Sequence, residues 1–203
     1  MPRLECFFDC SSPWTYLAFH NVQPLAAGLR VDVEWRPILV GGLFNTVNPS
    51  VYQSRETPVP AKQRYMAKDL QDWARQAGIT IVWPMSVFPV NSVKAMRGCL
   101  VAAGSGRLVA YATAAFEAYW GADRDISQDE VLADVARSAG LDPDEIAAGT
   151  QQPAIKDALR ENTEECARRG GFGSPTFFVD GEDMYFGNDR LPLIRDALLR
   201  AGA

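Results

Sequence analysis

Histidine is nearly missing from this 203-residue chain: His20 is its one example. That excludes a histidine-rich metal site, and a lone histidine inside a helical stretch reads as structural or superficial. Cysteine is scarce too. Cys6, Cys10, Cys99 and Cys166 show no metal-ligand spacing and no Cys-x-x-Cys, so they read as partly buried thiols of a reducing compartment. Cys6 and Cys10, four apart, point to one face if the strand reaches that far. No apolar run approaches the ~20 residues that span a bilayer, and no basic start followed by an apolar stretch marks a secretory leader. The expectation is a cytoplasmic protein that engages no membrane. Basic clustering is lacking as well: 20 Lys and Arg are scattered among 25 Asp and Glu, net charge −5, which argues against a nucleic-acid partner. Repeats and low-complexity tracts are absent.

What is present is ordinary globular composition, 47% hydrophobic and 22% charged, in a chain long enough to bury a core without staples. Leu4–Asp9 reads as an aromatic-rich strand. Ser12 at an N-cap and Pro13 at the first helical position open a helix to Ala27, with Gly28 as its stop. Val31–Arg36 alternates as a second strand, completing a βαβ unit. Val40–Pro60, with Gly41-Gly42 and Asn48-Pro49, reads as a long loop. Ala61–Ala77 is amphipathic, and Ile79–Pro84 is a short extended piece. Helices follow from Asn91-Ser92, from Leu108, from Ser127 (with Glu130 as a capping box), from Asp142-Pro143 and from Pro153. Thr176–Val179 and Met184–Phe186, joined by Asp180-Gly181, form a hairpin. Asn188 or Asp189 caps a last helix.

Three short segments can carry chemistry. At Ser12, free N–H groups and the helix dipole favour an anion, a thiolate included. The serine hydroxyl can donate to such a sulfur, whereas attack by the serine itself needs a base that the distant His20 does not supply. Plain capping is the alternative. Ser174-Pro175 precedes a strand, and a cis bond there would turn the Ser174 backbone outward for pairing with an extended peptide; a trans turn is the alternative. Gly187-Asn188-Asp189-Arg190 offers helix-start donors and a carboxylate together, for a ligand carrying both charges or simply for the cap.

Phe-Asp-x-x-Ser-Pro-x-x-Tyr-Leu from Phe8, then Gly173-Ser174-Pro175-Thr176, then Phe186-Gly187-Asn188-Asp189-Arg190-Leu191 occur in that order. With them the whole chain resembles the family of 2-hydroxychromene-2-carboxylate isomerases and kappa-class glutathione transferases, in the DsbA-like branch of thioredoxin folds. The resemblance implies an α/β thioredoxin-like fold (βαβ…ββα) with a large all-helical insertion: residues 1–60 and 169–203 as the thioredoxin-like part, 61–168 as inserted helices. Ser12 and Thr15 then stand where thioredoxins carry their two cysteines. The implied cofactor is glutathione. Ser12 faces its sulfur, Ser174 and Pro175 pair with its cysteinyl part, and Gly187, Asn188 and Asp189 hold its γ-glutamyl end. Asn48, Trp83 and Pro84 line the substrate side, joined more weakly by Lys62, Asn91 and Arg97. Lys62 and Arg97 can otherwise be helix-surface charges and Asn91 a helix cap, and Trp14, Phe44 and Tyr52 are either apolar walls or core. The implied activity is glutathione-dependent isomerisation of a small aromatic or unsaturated carboxylate in a homodimer. A kappa-type transferase or peroxidase, a DsbA-like thiol-disulfide oxidoreductase and a non-catalytic module are the alternatives. Cys10 departs from the isomerase pattern, which favours an apolar residue there.

Overall fold

The structure is a computed structural model and describes residues 2–202. Its sheet has four strands in the order β2-β1-β3-β4: β1 Leu4–Phe8, β2 Val33–Pro37, β3 Thr176–Val179 and β4 Asp183–Phe186. β1 is parallel to β2 (Cys6 opposite Trp35) and antiparallel to β3 (Cys6 opposite Phe177), and β3 is antiparallel to β4. This is the thioredoxin-like arrangement with a helical block between β2 and β3. All of β1 is buried, because it sits centrally with both faces covered. Leu4, Cys6 and Phe8 enter the large core. Phe7, on the other face, packs with Ile38, Leu43, Cys166 and Phe178. Asp180 (φ 50°) and Gly181 (φ 85°) make the hairpin turn, as Asp-Gly predicts.

Helix α1 is Pro13–Leu29. Gly28, expected to stop it, lies inside; Arg30 takes the left-handed cap instead, its N–H bonding the Ala26 and Ala27 carbonyls. Leu29 packs on the core, and that burial carries the helix past the glycine. The expected loop after β2 contains two short helices, α2 Val40–Thr46 and α3 Ser50–Glu56. Gly41-Gly42 hides α2 from propensity reasoning. Its free N–H groups are satisfied from outside: the Leu39 N–H donates to Thr163 Oγ1 (3.0 Å) and the Val40 N–H to Asp9 Oδ2 (2.8 Å).

The helical block comprises α4 Pro60–Ala77, α5 Val93–Ala103, α6 Leu108–Phe116, α7 Asp129–Ser138, α8 Pro143–Gly149 and α9 Pro153–Arg168. Helix α6 runs into a π turn, Glu117–Gly121, which delivers Tyr119 and Trp120 to the interior. The capping box expected from Ser127 does not form. Asp125 accepts the Ser127 N–H (2.9 Å) in a local turn, so the helix starts two residues later. Asp142 caps α8 through the Asp144 N–H (2.9 Å). Phe116, Tyr111 and Leu70 from this block share one continuous core with Leu4, Phe8 and Phe19. After β4 a 3-10 turn, Asn188–Arg190, leads into α10, Leu191–Gly202. Among the described residues no helix is long and apolar enough to cross a membrane.

Candidate active site

The three segments converge at the C-terminal end of β1. Ser12 caps α1, its Oγ accepting the Thr15 N–H at 3.3 Å, and the same hydroxyl donates to the Ser174 carbonyl at 3.2 Å. Ser174-Pro175 is cis. The Ser174 hydroxyl is 2.8 Å from Thr15 Oγ1 and accepts the Asp9 N–H at 2.9 Å. The Pro175 carbonyl accepts the Gly187 N–H at 3.2 Å. Gly187 has φ 101°, a conformation that side chains avoid, and a Cβ there would lie 2.8 Å from Asp189 Oδ1. Asn188 is buried and accepts from Asn21 Nδ2 (3.0 Å), while its own Nδ2 has no partner. The simple cap by Asn188 or Asp189 is therefore not what these residues do: Asn188 is turned onto α1, and Asp189 pairs with Arg190.

The turn from β1 into α1 is held from beneath. The Asp9 carboxylate accepts the Ser11 N–H (2.9 Å) and the Val40 N–H (2.8 Å). Burial pushes its pKa up against the lowering effect of these bonds and of the Ser11 and Ser92 hydroxyls. The Cys10 N–H points at Met96 Sδ (3.3 Å), and its carbonyl accepts Trp120 Nε1–H (2.8 Å). The Cys10 thiol is buried beside Cys99, and burial pushes its pKa well up. It belongs to the core and offers no exposed thiol at this helix start.

This construction has counterparts among known proteins. A family model for the DSBA-like thioredoxin domain matches residues 3–199. The chain belongs to that family. It is 30% identical over 196 residues to a 2-hydroxychromene-2-carboxylate isomerase of Sphingobium xenophagum, covering 97% of both chains. It is 28% identical to glutathione S-transferase kappa 1 of Homo sapiens, covering 98% of this chain and 92% of the relative. A solved 2-hydroxychromene-2-carboxylate isomerase superposes with TM-score 0.82 at 26% identity, covering 98% of this chain and 95% of that one.

In this DSBA-like chain the remaining expected residues fall at different distances from the Ser12 cluster in the bonding network. Asn48 is linked through the backbone only: its Nδ2 donates to the Phe172 carbonyl (3.1 Å), two residues before Ser174, and Ser50 Oγ donates to its Oδ1 (2.7 Å). Trp83, before cis Pro84, stacks on Trp120 (centroids 6.4 Å), and Trp120 holds the Cys10 carbonyl. Asn91 caps α5 through the Val93 N–H (3.1 Å). Arg97 is half-buried with an unpartnered Nε, and Lys62 is exposed on the first turn of α4. Nothing ties these last three directly to Ser12. Trp14 packs against the core, whereas Phe44 and Tyr52 meet edge to face (6.2 Å) on the α2–α3 segment.

An open cleft of about 770 Å³ lies further along α1, between Tyr16, His20, Gln23 and Glu117. It contains none of the Ser12–Ser174 donors. Its floor is Tyr16, whose phenol is pushed up to about 12 by burial and by Glu117. Donor chemistry, and not volume, locates the candidate site. Asp9 and Trp120 were missed by sequence reasoning. Asp9 stands inside the quoted N-terminal motif, where an acid directly after an apolar strand is a usable signal. Nothing in the sequence ties Trp120 to Cys10.

Proposed function

We propose that this protein is a glutathione-dependent enzyme, and specifically an isomerase of the 2-hydroxychromene-2-carboxylate type. One observation carries the reading: a helix start capped by the Ser12 hydroxyl, a place that favours an anion, with Ser12 and Thr15 at the two positions where a disulfide oxidoreductase needs cysteines. The relatives' names, isomerase and kappa transferase, agree with a thiol brought by a small molecule.

The residues fit glutathione. Asn188 Nδ2 is a buried donor without an acceptor, and a γ-glutamyl carboxylate would supply one. The Ser174 carbonyl, now taken by Ser12, suits a cysteinyl N–H. Glutathione, when bound, supplies the nucleophile for reversible addition to an unsaturated carbon. Ser12 then redirects its proton from the Ser174 carbonyl to the sulfur and, with the α1 N-terminus, holds it anionic. Gly187, Asn188 and Asp189 orient the γ-glutamyl end. Asn48, Trp83 and Pro84 face the unsaturated acid, and Lys62, Arg97 or Asn91 receive its carboxylate. The protein works in the cytoplasm as a homodimer.

Ser12→Ala is expected to lower turnover by about 10²–10³-fold, the cost of one donor to a developing anion, with the fold intact by circular dichroism. Full activity without glutathione would sink the reading. The kappa relatives favour a second reading, a transferase at the same site. It consumes glutathione in proportion to product, whereas an isomerase leaves total thiol unchanged.

A further inference from the structure

We propose that Asp9 is the positioning residue of this site: its buried carboxylate locks the Ser11–Ser12 turn to the starts of α2 and α5, so that the thiolate-holding hydroxyl and the substrate-facing segments keep one geometry. The proposal rests on the glutathione reading and adds to it a residue that touches neither sulfur nor substrate.

Asp9 is 1% exposed and bonds in four directions. Its N–H donates to Ser174 Oγ (2.9 Å), and its carbonyl accepts the Ser12 N–H (3.3 Å). One carboxylate oxygen accepts the Ser11 N–H and the other the Val40 N–H. The Ser92 hydroxyl lies close enough to favour the charged carboxylate. Ser92 occupies the N-cap position of α5 and makes no cap bond of its own. Likewise Leu39, the N-cap of α2, has no side chain to offer, and Asp9 serves from another part of the chain. The helix that Asp9 starts, α2, leads to Asn48, and the helix that follows its neighbour Ser92, α5, carries Arg97.

Among the described residues no cation pairs with Asp9. Its charge faces backbone N–H groups, the Ser11 and Ser92 hydroxyls and the neighbouring Cys10 thiol. A buried carboxylate without a counter-ion is costly, and its geometric work explains why it is tolerated. Asparagine has the same shape but only one acceptor, so Asp9→Asn sets an amide NH₂ against a backbone N–H. Either the Ser11 turn or the Val40 start must then give way.

The test is a pH titration of bound glutathione, followed by thiolate ultraviolet absorbance, in wild type, Asp9→Asn, Ser92→Ala and Glu5→Gln. Glu5→Gln is the control, because it destabilises the fold at the far end of β1. Asp9→Asn is expected to raise the bound-thiol pKa by about one unit, a roughly tenfold loss of thiolate at fixed pH below that pKa. It should also lower turnover per bound glutathione by about 10²-fold, the scale of a small misplacement. Ser92→Ala should move both in the same direction by about threefold, and it carries the test if Asp9→Asn does not fold. Glu5→Gln should leave the titration at wild type. The proposal is overturned if the folded Asp9 and Ser92 variants lose only melting temperature, or if Glu5→Gln shifts the titration equally. Wild type showing no bound thiolate would instead refute the glutathione reading, and this proposal with it.

Discussion

Replace Glu5 by glutamine, and the protein should lose about 3 kcal/mol of stability at neutral pH. The Glu5 side chain has no solvent exposure, yet its shield is guanidinium and not hydrocarbon. Arg169 grips it through two nitrogens (2.6 and 3.1 Å), Arg3 lies at 2.7 Å and Arg36 at 3.6 Å. The Arg169 side chain is 20% exposed, and its guanidinium rests on the Phe178 ring, 3.8 Å from the centroid. Burial alone would raise the Glu5 pKa, but the Arg169 and Arg3 guanidiniums together outweigh it, so the net shift is downward. At an effective dielectric near 20, one pair about 4 Å apart is worth about 4 kcal/mol. Arg3 is 56% exposed and Arg36 lies farther off at 3.6 Å, so solvent screening discounts both beside Arg169. Glutamine keeps a carbonyl for Arg169 and recovers about 1 kcal/mol. The difference agrees with the lower end of the ~3–5 kcal/mol for breaking a buried pair. It corresponds to a fall in melting temperature of about 6–12 °C for a chain of this size.

Urea unfolding at several pH values is the assay. The folded carboxylate titrates below its ordinary value of 4.5. The wild-type advantage is therefore complete above that value and is lost as pH falls through the lower, folded one. The gap between the two proteins should close in acid. A gap under about 0.5 kcal/mol at pH 7, or one that does not change with pH, would refute the reasoning.

Gly98→Ala should destabilise by about 2–3 kcal/mol through overpacking, because its Cβ would sit 2.3 Å from the buried Tyr111 hydroxyl; a melting curve checks it. Trp120→Phe keeps an aromatic ring but loses the indole N–H to the Cys10 carbonyl and leaves a cavity where the second ring was, so at least about 2 kcal/mol is expected to be lost in urea titration. All four thiols are buried, and burial pushes Cys6 and Cys10 well up and Cys166 up to about 12. Native protein should therefore resist a thiol reagent near pH 8, while denatured protein titrates all four cysteines. Gly187→Ala should unfold more readily and bind glutathione at least about tenfold more weakly, as measured by calorimetry.

The sheet, α1, α4, α9 and the final hairpin were legible because their signals are local: Ser-Pro at a helix start, the amphipathic run Ala61–Ala77, Asp-Gly between apolar runs. Helix α2 was not, because its cap comes from Asp9 and Thr163, distant in sequence, and Gly41-Gly42 argues locally against it. The same holds at Ser127, where Asp125 takes the N–H that a capping box would use. The convergence of Ser12, Ser174, Pro175 and Gly187 was implied by the family resemblance that their motifs carry, not by any one of them alone. The support beneath them was not, since a buried acid and a tryptophan bonded to a carbonyl leave no periodic trace. Asn188 shows the limit most clearly: its residue type predicts a cap, and its partner on α1 decides otherwise.

The central position of β1 has a consequence for synthesis. Its parallel neighbour β2 follows within 40 residues, but its antiparallel neighbour β3 begins only at Thr176, beyond the whole helical block. Until then Cys6-Phe7-Phe8 has one edge of unpaired peptide groups and two apolar faces, the profile of a strand that recruits the wrong partner. Ser12 waits equally long for the Ser174 carbonyl. Products truncated before the hairpin should be insoluble as well as inactive, and a chaperone holding the nascent chain would have to cover β1 until β3 arrives.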